Sequence, residues 1–206
     1  METAVSIHHG PYESIPADAS PGLQFLRRFL PVVDTLSPGD DRISSFFTPN
    51  APILVGSNPP SSARDVTPLL DVRARHLAHV YHQVHIAWDI DLRTDSPAHR
   101  ISYATGAASN EARQESNLYA PLPGKIQMKR TVMFEATSET IFKNDPEGFT
   151  VKTREFNILD LEGRDESDLQ VVEMRIFLDA KPVQAFAAIL SRESAYGEAQ
   201  NSADPV

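Results

Sequence analysis

Val80-Tyr81-His82-Gln83-Val84-His85-Ile86-Ala87-Trp88-Asp89-Ile90-Asp91 alternates residue by residue. Val80, His82, Val84, Ile86, Trp88 and Ile90 fall on one side, and Tyr81, Gln83, His85, Ala87, Asp89 and Asp91 on the other. That alternation predicts one long, half-buried strand. Before it the apolar spacing is helical. Ser20 can cap a helix whose first turn holds Pro21, and Leu23, Leu26, Phe29, Leu30 and Val33 share one face of it. Pro31 lies inside that pattern and should kink or shorten the helix. Ser37-Pro38 repeats the start signal ahead of Ile43, Phe46 and Phe47, which predicts a second, short helix. Ala51 to Val55 reads as a brief strand closed by Gly56 and Asn58-Pro59-Pro60, and Thr67-Pro68 opens a third helix carrying Leu69, Leu70, Val72 and Leu77.

After the long strand the period stays at two. Strands are predicted over 130–142, 149–161 and 171–179, separated by Asn144-Asp145-Pro146-Glu147-Gly148 and Glu162-Gly163-Arg164-Asp165, both rich in turn formers. Val183 to Leu190 forms a last apolar patch, consistent with a short helix. The expected organisation is a flexible segment over 1–18, one domain over 19–190, and a frayed tail over 191–206. Residues 94–128 break the meander as a long insertion rich in Ser, Ala, Asn and Pro, with Tyr103 and Tyr119 as its aromatic anchors. Such a loop is either a pocket lid or disordered surface.

Composition narrows the function classes. A chain of 206 residues with 41% hydrophobic and 23% charged residues suits one globular domain. The absence of cysteine removes disulfides, thiolate metal sites and cysteine nucleophiles. A formal charge of −9 argues against nucleic acid and anionic lipid as partners. No apolar run approaches the roughly 18 residues of a membrane span. Met1-Glu2-Thr3-Ala4-Val5-Ser6 has neither the basic region nor the apolar core of a secretory signal, so a cytoplasmic location is expected. His76, His79, His82 and His85 do not converge, because residues three apart share a face on a helix but not on a strand; no metal site is expected.

Helices followed by a curling antiparallel sheet form an α+β plan. Within it, Phe47-Thr48-Pro49-Asn50-Ala51-Pro52 with Gly56, then Tyr81 to Trp88, then Arg175-Ile176-Phe177-Leu178-Asp179 with Pro182, resembles SnoaL-like proteins of the nuclear-transport-factor-2-like superfamily. The match spans roughly residues 22–190. The resemblance implies a cone-shaped barrel in which a curved, mainly antiparallel sheet wraps around N-terminal helices and an apolar cavity. It also implies a homodimer packed through the sheet. Some members cyclise, isomerise or dehydrate small hydrophobic molecules without a cofactor, and others only bind, so the fold alone does not decide function.

Strand parity assigns the cavity wall. Val132, Phe134, Ala136 and Ser138, then Arg154, Phe156 and Ile158, then Met174, Ile176 and Leu178, are expected to face inward with His82, Val84, Ile86 and Trp88. The carboxylates Glu135, Glu139, Glu155 and Glu173, with Arg175, are expected outside as cross-strand pairs, since burying them bare is costly. A slip of one residue would reverse that assignment.

His82 matches the family's histidine before the long strand, and an imidazole suits proton transfer near neutral pH. Its other reading is a histidine bonded to a backbone carbonyl at a helix–strand junction. Arg154 would stabilise negative charge in the pocket or else meet solvent or a neighbouring carboxylate. Trp88, Phe134, Phe156, Met174 and Ile176 are expected to contact the ligand, with Tyr103 and Tyr119 over it. Asp179 matches the aspartate closing the family's last strand, or caps the turn into Lys181-Pro182. Ile176 stands where epoxide-hydrolysing relatives place an aspartate, which argues against that chemistry. The expected activity is cofactor-independent acid–base isomerisation, cyclisation or dehydration of a small hydrophobic metabolite. The alternative is a ligand-binding or protein-interaction module on the same fold.

Overall fold

The computed structural model describes residues 4–37, 39, 41–92 and 128–201. Strand β1 (Val5–His9) leads into helix α1 (Pro21–Val33). Two short strands follow, β2 (Pro52–Val55) and β3 (Ser61–Ser62), and then α2 (Val66–His76). The long strands β4 (Leu77–Asp91), β5 (Met128–Phe142), β6 (Val151–Gly163) and β7 (Gln170–Leu178) precede α3 (Lys181–Asn201). Ile43 and Phe46 lie in a 3-10 turn, Arg42–Phe46, rather than a helix of α type.

All seven strands join one sheet in the order β1-β4-β5-β6-β7-β2-β3. Every pairing is antiparallel except β2 with β7. The predicted α+β architecture of a curved, mainly antiparallel sheet packed around the N-terminal helix is what forms, although among the described residues β1 and β3 remain edges and the barrel does not close. The 94–128 insertion lies outside the described residues up to Met128, which opens β5, and so do its anchors Tyr103 and Tyr119.

The N-terminal segment departs from expectation. Val5–His9 pairs antiparallel with β4, and Tyr12 and Ile15 behind it are buried. Five residues alternating around a turn are too short for periodicity to detect, yet they cover the backbone edge of β4, which would otherwise be bare. At the other end, α3 extends well beyond the predicted Val183 to Leu190 patch.

Helix α1 lies across the concave side of the sheet and buries Leu23, Phe25, Leu26, Phe29 and Leu30. Phe25 and Phe29 are stacked at 5.6 Å, and Phe46 meets both edge-on. Pro31 lies in the last turn, two residues before the helix ends at Val33, and the N–H of the C-cap residue Asp34 still reaches Leu30 O at 2.9 Å. Ser20 occupies the N-cap position without making the expected side-chain bond. A carboxylate from the sheet acts in its place: the Gly22 N–H donates to Asp89 Oδ2 at 2.9 Å. A Cβ at Gly22 would stand 2.3 Å from Asp89 Oδ1 and 2.6 Å from a Val132 methyl, so only glycine lets the helix approach this closely.

Asp89 is itself held by Arg130, whose Nε and Nη2 donate to its two oxygens at 2.8 Å each, while Nη1 reaches Asp91 Oδ2 at 3.0 Å. All three side chains are buried. A bidentate guanidinium is the partner that makes such carboxylates tolerable inside a core. Arg130→Met would leave two buried carboxylates without their cation and is expected to cost about 3–5 kcal/mol in urea unfolding at neutral pH. A loss below about 1 kcal/mol would show the clamp to be dispensable.

Candidate functional site

Two irregularities in the β4–β5 ladder set what faces inward. The register slips between Leu77 and His79 and again between Val84 and Ile86. Val80, His82 and Val84 therefore point inward, but beyond the second slip the inward set becomes Ala87, Asp89 and Asp91. Trp88 and Ile86 consequently sit on the outer face, contrary to the uninterrupted alternation read from the sequence. On β6 the inward residues are Val151, Thr153, Glu155, Asn157, Leu159 and Leu161. Arg154 and Phe156 thus lie outside and Glu155 inside, which reverses the parity expected for this strand. On β5 and β7 the expected faces hold: Phe134 and Met174 are buried, and Met174 and Ile176 line the cavity.

The outer face collects the misassigned residues. Arg154 is 81% exposed and stands 3.9 Å from Glu135, so it takes no part in the cavity. Trp88 and Phe156 are in ring contact at 6.3 Å, and Phe156 continues to Phe177 at 6.5 Å. Asp179 is exposed and accepts the Lys181 N–H at 3.1 Å, which is the turn-capping role.

On the concave side His82 is enclosed by carboxylates. Its backbone N–H donates to Asp34 Oδ2 at 3.1 Å and its Nδ1 bonds Asp34 Oδ1. Its Nε2 faces Glu155 Oε1 at 3.3 Å. The side chains are 12%, 9% and 6% exposed for His82, Asp34 and Glu155. Tyr12 donates its hydroxyl to Asp34 Oδ2 at 3.2 Å, and Asn157 Nδ2 donates to Glu155 Oε1 at 3.0 Å. Burial alone would strip the proton from His82, but the Asp34 hydrogen bond and the charges of Glu155 and Asp34 outweigh it, and the pKa is raised. Arg73 nearby works slightly against them. Burial, with the carboxylates of Asp34 and Glu13, pushes the Tyr12 phenol well above its ordinary range, so it stays a neutral donor.

Beside this cluster lies a cavity of about 610 Å³ between α1, α2, β2 and β7. Its wall includes Phe29, Val33, Ile53, Val55, Met174 and Ile176, and exposed Leu69 and Val72 form part of its rim. His82 is not itself on that wall. Arg73 is, and its charge is near enough to act on Asp34, Glu155 and His82. Asp34 follows Val33 directly, and Asn157 is paired with Ile176, which brings the polar cluster against the cavity's inner end. A mostly apolar enclosure with a few convergent polar groups is the usual build of a small-molecule site. Among the described residues, no group of three metal-ligating side chains converges, and no helix is long and apolar enough to cross a membrane.

Sequence reasoning singled out His82 but not Asp34, Arg73 or Glu155, which the fold brings near it. For Glu155 a signal existed: at the ends of β6, Val151, Leu159 and Leu161 share its parity, while Lys152, Asp160 and Glu162 share that of Arg154.

The His82 pKa shift makes stability depend on pH in a known direction. A histidine with a raised folded pKa stabilises fully below its unfolded value of about 6.5 and loses that contribution as pH rises through the folded pKa. Urea unfolding is therefore expected to show stability falling from about pH 6.5 upward, and His82→Gln should abolish that slope. The Tyr12 shift acts only above about pH 10 and does not overlap this window. An identical slope in the variant would place the protonation elsewhere.

No protein-family model matches the chain, and no curated protein matches it significantly. Solved structures do. PrhC from Penicillium brasilianum NBRC 6234 superposes with a TM-score of 0.52 at 10% identity, over 85% of this chain and 91% of that one. BvnE pinacolase from Penicillium brevicompactum gives 0.48 at 11% identity, over 84% and 94%. A SnoaL-like protein from Jannaschia sp. CCS1, described as a polyketide cyclase, gives 0.44 at 15%, over 82% and 95%. At these identities the likeness is one of architecture alone: the chain has a cone-shaped α+β fold of the nuclear-transport-factor-2-like kind.

Proposed function

We propose that the chain is a cofactor-independent acid–base catalyst that isomerises, cyclises or dehydrates a small hydrophobic molecule. The observation that carries this reading is the Asp34–His82–Glu155 constellation against the inner end of an apolar cavity. Its two halves differ. Asp34 holds the histidine by backbone and Nδ1 together, which fixes the ring. The contact to Glu155, at 3.3 Å, is longer than the roughly 2.7–2.9 Å of a strong charge-assisted bond. Nε2 is thus the nitrogen free to exchange partners. A protonated His82 donates there to a developing oxyanion or leaving oxygen, and Glu155 offers a carboxylate to take a proton from carbon. Asn157, donating to Glu155, keeps that carboxylate in place.

The competing reading is a binding protein, and one observation favours it: both ring nitrogens already have carboxylate partners and His82 is absent from the cavity wall. Proton exchange separates the two. 2-Tetralone is an apolar ketone whose acidic α-protons exchange measurably in D2O. Wild-type protein is expected to accelerate that exchange, and His82→Gln to lower the acceleration by roughly 10²–10⁴-fold. No acceleration by wild type, or undiminished acceleration by the variant, would leave the binding reading standing.

Association through the outer sheet face belongs to the same proposal. The Trp88, Phe156 and Phe177 row is apolar, and the flanking Arg154–Glu135 and Arg175–Asp160 pairs offer both signs of charge to a second copy. Sedimentation is expected to show a dimer that Phe177→Glu converts to monomer. A wild-type monomer at micromolar concentration would remove the dimer.

A further inference from the structure

Once groups with partners are set aside, the polar lining of the cavity reduces to few side chains. Asp65 Oδ2 accepts from the Ser62 N–H at 3.0 Å and from Ser62 Oγ at 3.1 Å, which commits it to the turn before α2. Asn58 and Ser61 are exposed toward the rim. Arg73 differs from these. It projects from the last turn of α2 onto the cavity wall, and among the described residues no hydrogen bond or close ion pair holds its guanidinium. Asp34 and Glu155 influence it only at a distance, because their near contacts are spent on His82 and its neighbours. Burial accordingly pushes its pKa down, with those two carboxylates pulling the other way. A cation at a helix C-terminus offsets the helix dipole, but that role requires no burial, and exposed Arg75 and His76 already serve it in the same turn.

A guanidinium presents a planar fork of donors, and that of Arg73 is half-buried on the cavity wall, with accessible surface left for a ligand to meet it. A carboxylate is the group that satisfies two of those donors at once. We infer that the cavity takes an apolar molecule bearing one carboxylate, with the carboxylate on Arg73 and the apolar body along Ile53, Val55 and Met174 toward Leu69. This rests on the reading that the cavity is the functional site, and it adds the class of ligand.

Isothermal titration near pH 7 with decanoate, methyl decanoate and 1-decanol, each below its aggregation limit, tests it on the wild-type protein. Decanoate is expected to bind roughly tenfold or more tighter than the ester and the alcohol, shifting the methyl resonances of Ile53, Met174 and Ile176. Arg73→Met should abolish the preference and Arg73→Lys should keep part of it. Equal affinities for acid, ester and alcohol, binding of none of them, or a preference retained in Arg73→Met would each overturn the inference. If the Met variant fails to fold, the three-ligand comparison on wild type decides alone. The outcome is separable from the catalytic reading: a decanoate preference without 2-tetralone exchange sinks catalysis and keeps the anchor, and exchange without the preference does the reverse.

Discussion

The one-residue slip between Val84 and Ile86 governs what each half of β4 delivers to the interior. Without it, a strand that points His82 inward would also point Ile86, Trp88 and Ile90 inward, and Asp89 and Asp91 would face out. With it, the first half gives the core a titratable ring and the second half gives it two carboxylates. The second consequence reaches further than the strand. Asp89 binds the first turn of α1 through Gly22, so the same slip docks the helix on the sheet. The helix in turn is followed directly by its C-cap Asp34, the residue that holds His82. A bulge that re-aims a side chain and strengthens local curvature is a recurring device beside active sites.

Two charged clusters therefore lie inside one small domain, toward opposite ends of β4, and their geometry assigns them different work. Around Arg130 the donors are aligned and short, all three side chains are buried, and α1 supplies a further N–H to Asp89. Nothing there is left to exchange. Around His82 one nitrogen is fixed, the other meets its carboxylate at 3.3 Å, and the adjoining cation is not bonded at all among the described residues. A saturated cluster rigidifies, whereas an unsaturated one retains capacity for a ligand or a proton. The contrast also explains why Glu155 is tolerated inside: a protonated histidine and Asn157 share its charge.

The legible part of this fold was what repeats. The α1 stripe, the long strands and their turns follow from period and punctuation, and the order of the quoted segments was enough to suggest the cone. His82 was legible because it is the polar residue on the inward side of a strong alternation, at the position where the resembling family has a histidine. What failed depended on relations between strands. A bulge leaves no mark in a single alternating run, so Trp88 was placed inside. On β6 both faces carry apolar and polar side chains in the middle, and only the strand ends, Val151, Leu159 and Leu161, mark the inward face. Burying Glu155 is costly for a bare carboxylate, but its partners come from β4 and from two residues along its own strand, which no local pattern reveals. Asp34 and Arg73 sit at helix ends, where sequence shows a charge but not which strand it will meet.

Charge balance ties the two functional features together. Asp34 and Glu155 with protonated His82 leave one net negative charge, which Arg73 at the cavity wall offsets, so the cluster can be buried without a formal excess. A carboxylate on Arg73, the ligand inferred above, would screen the cation that works against the His82 proton, so the pull of Asp34 and Glu155 would meet less opposition. By linkage, ligand binding and protonation of the ring would then favour each other through a shared field, with no change of fold required.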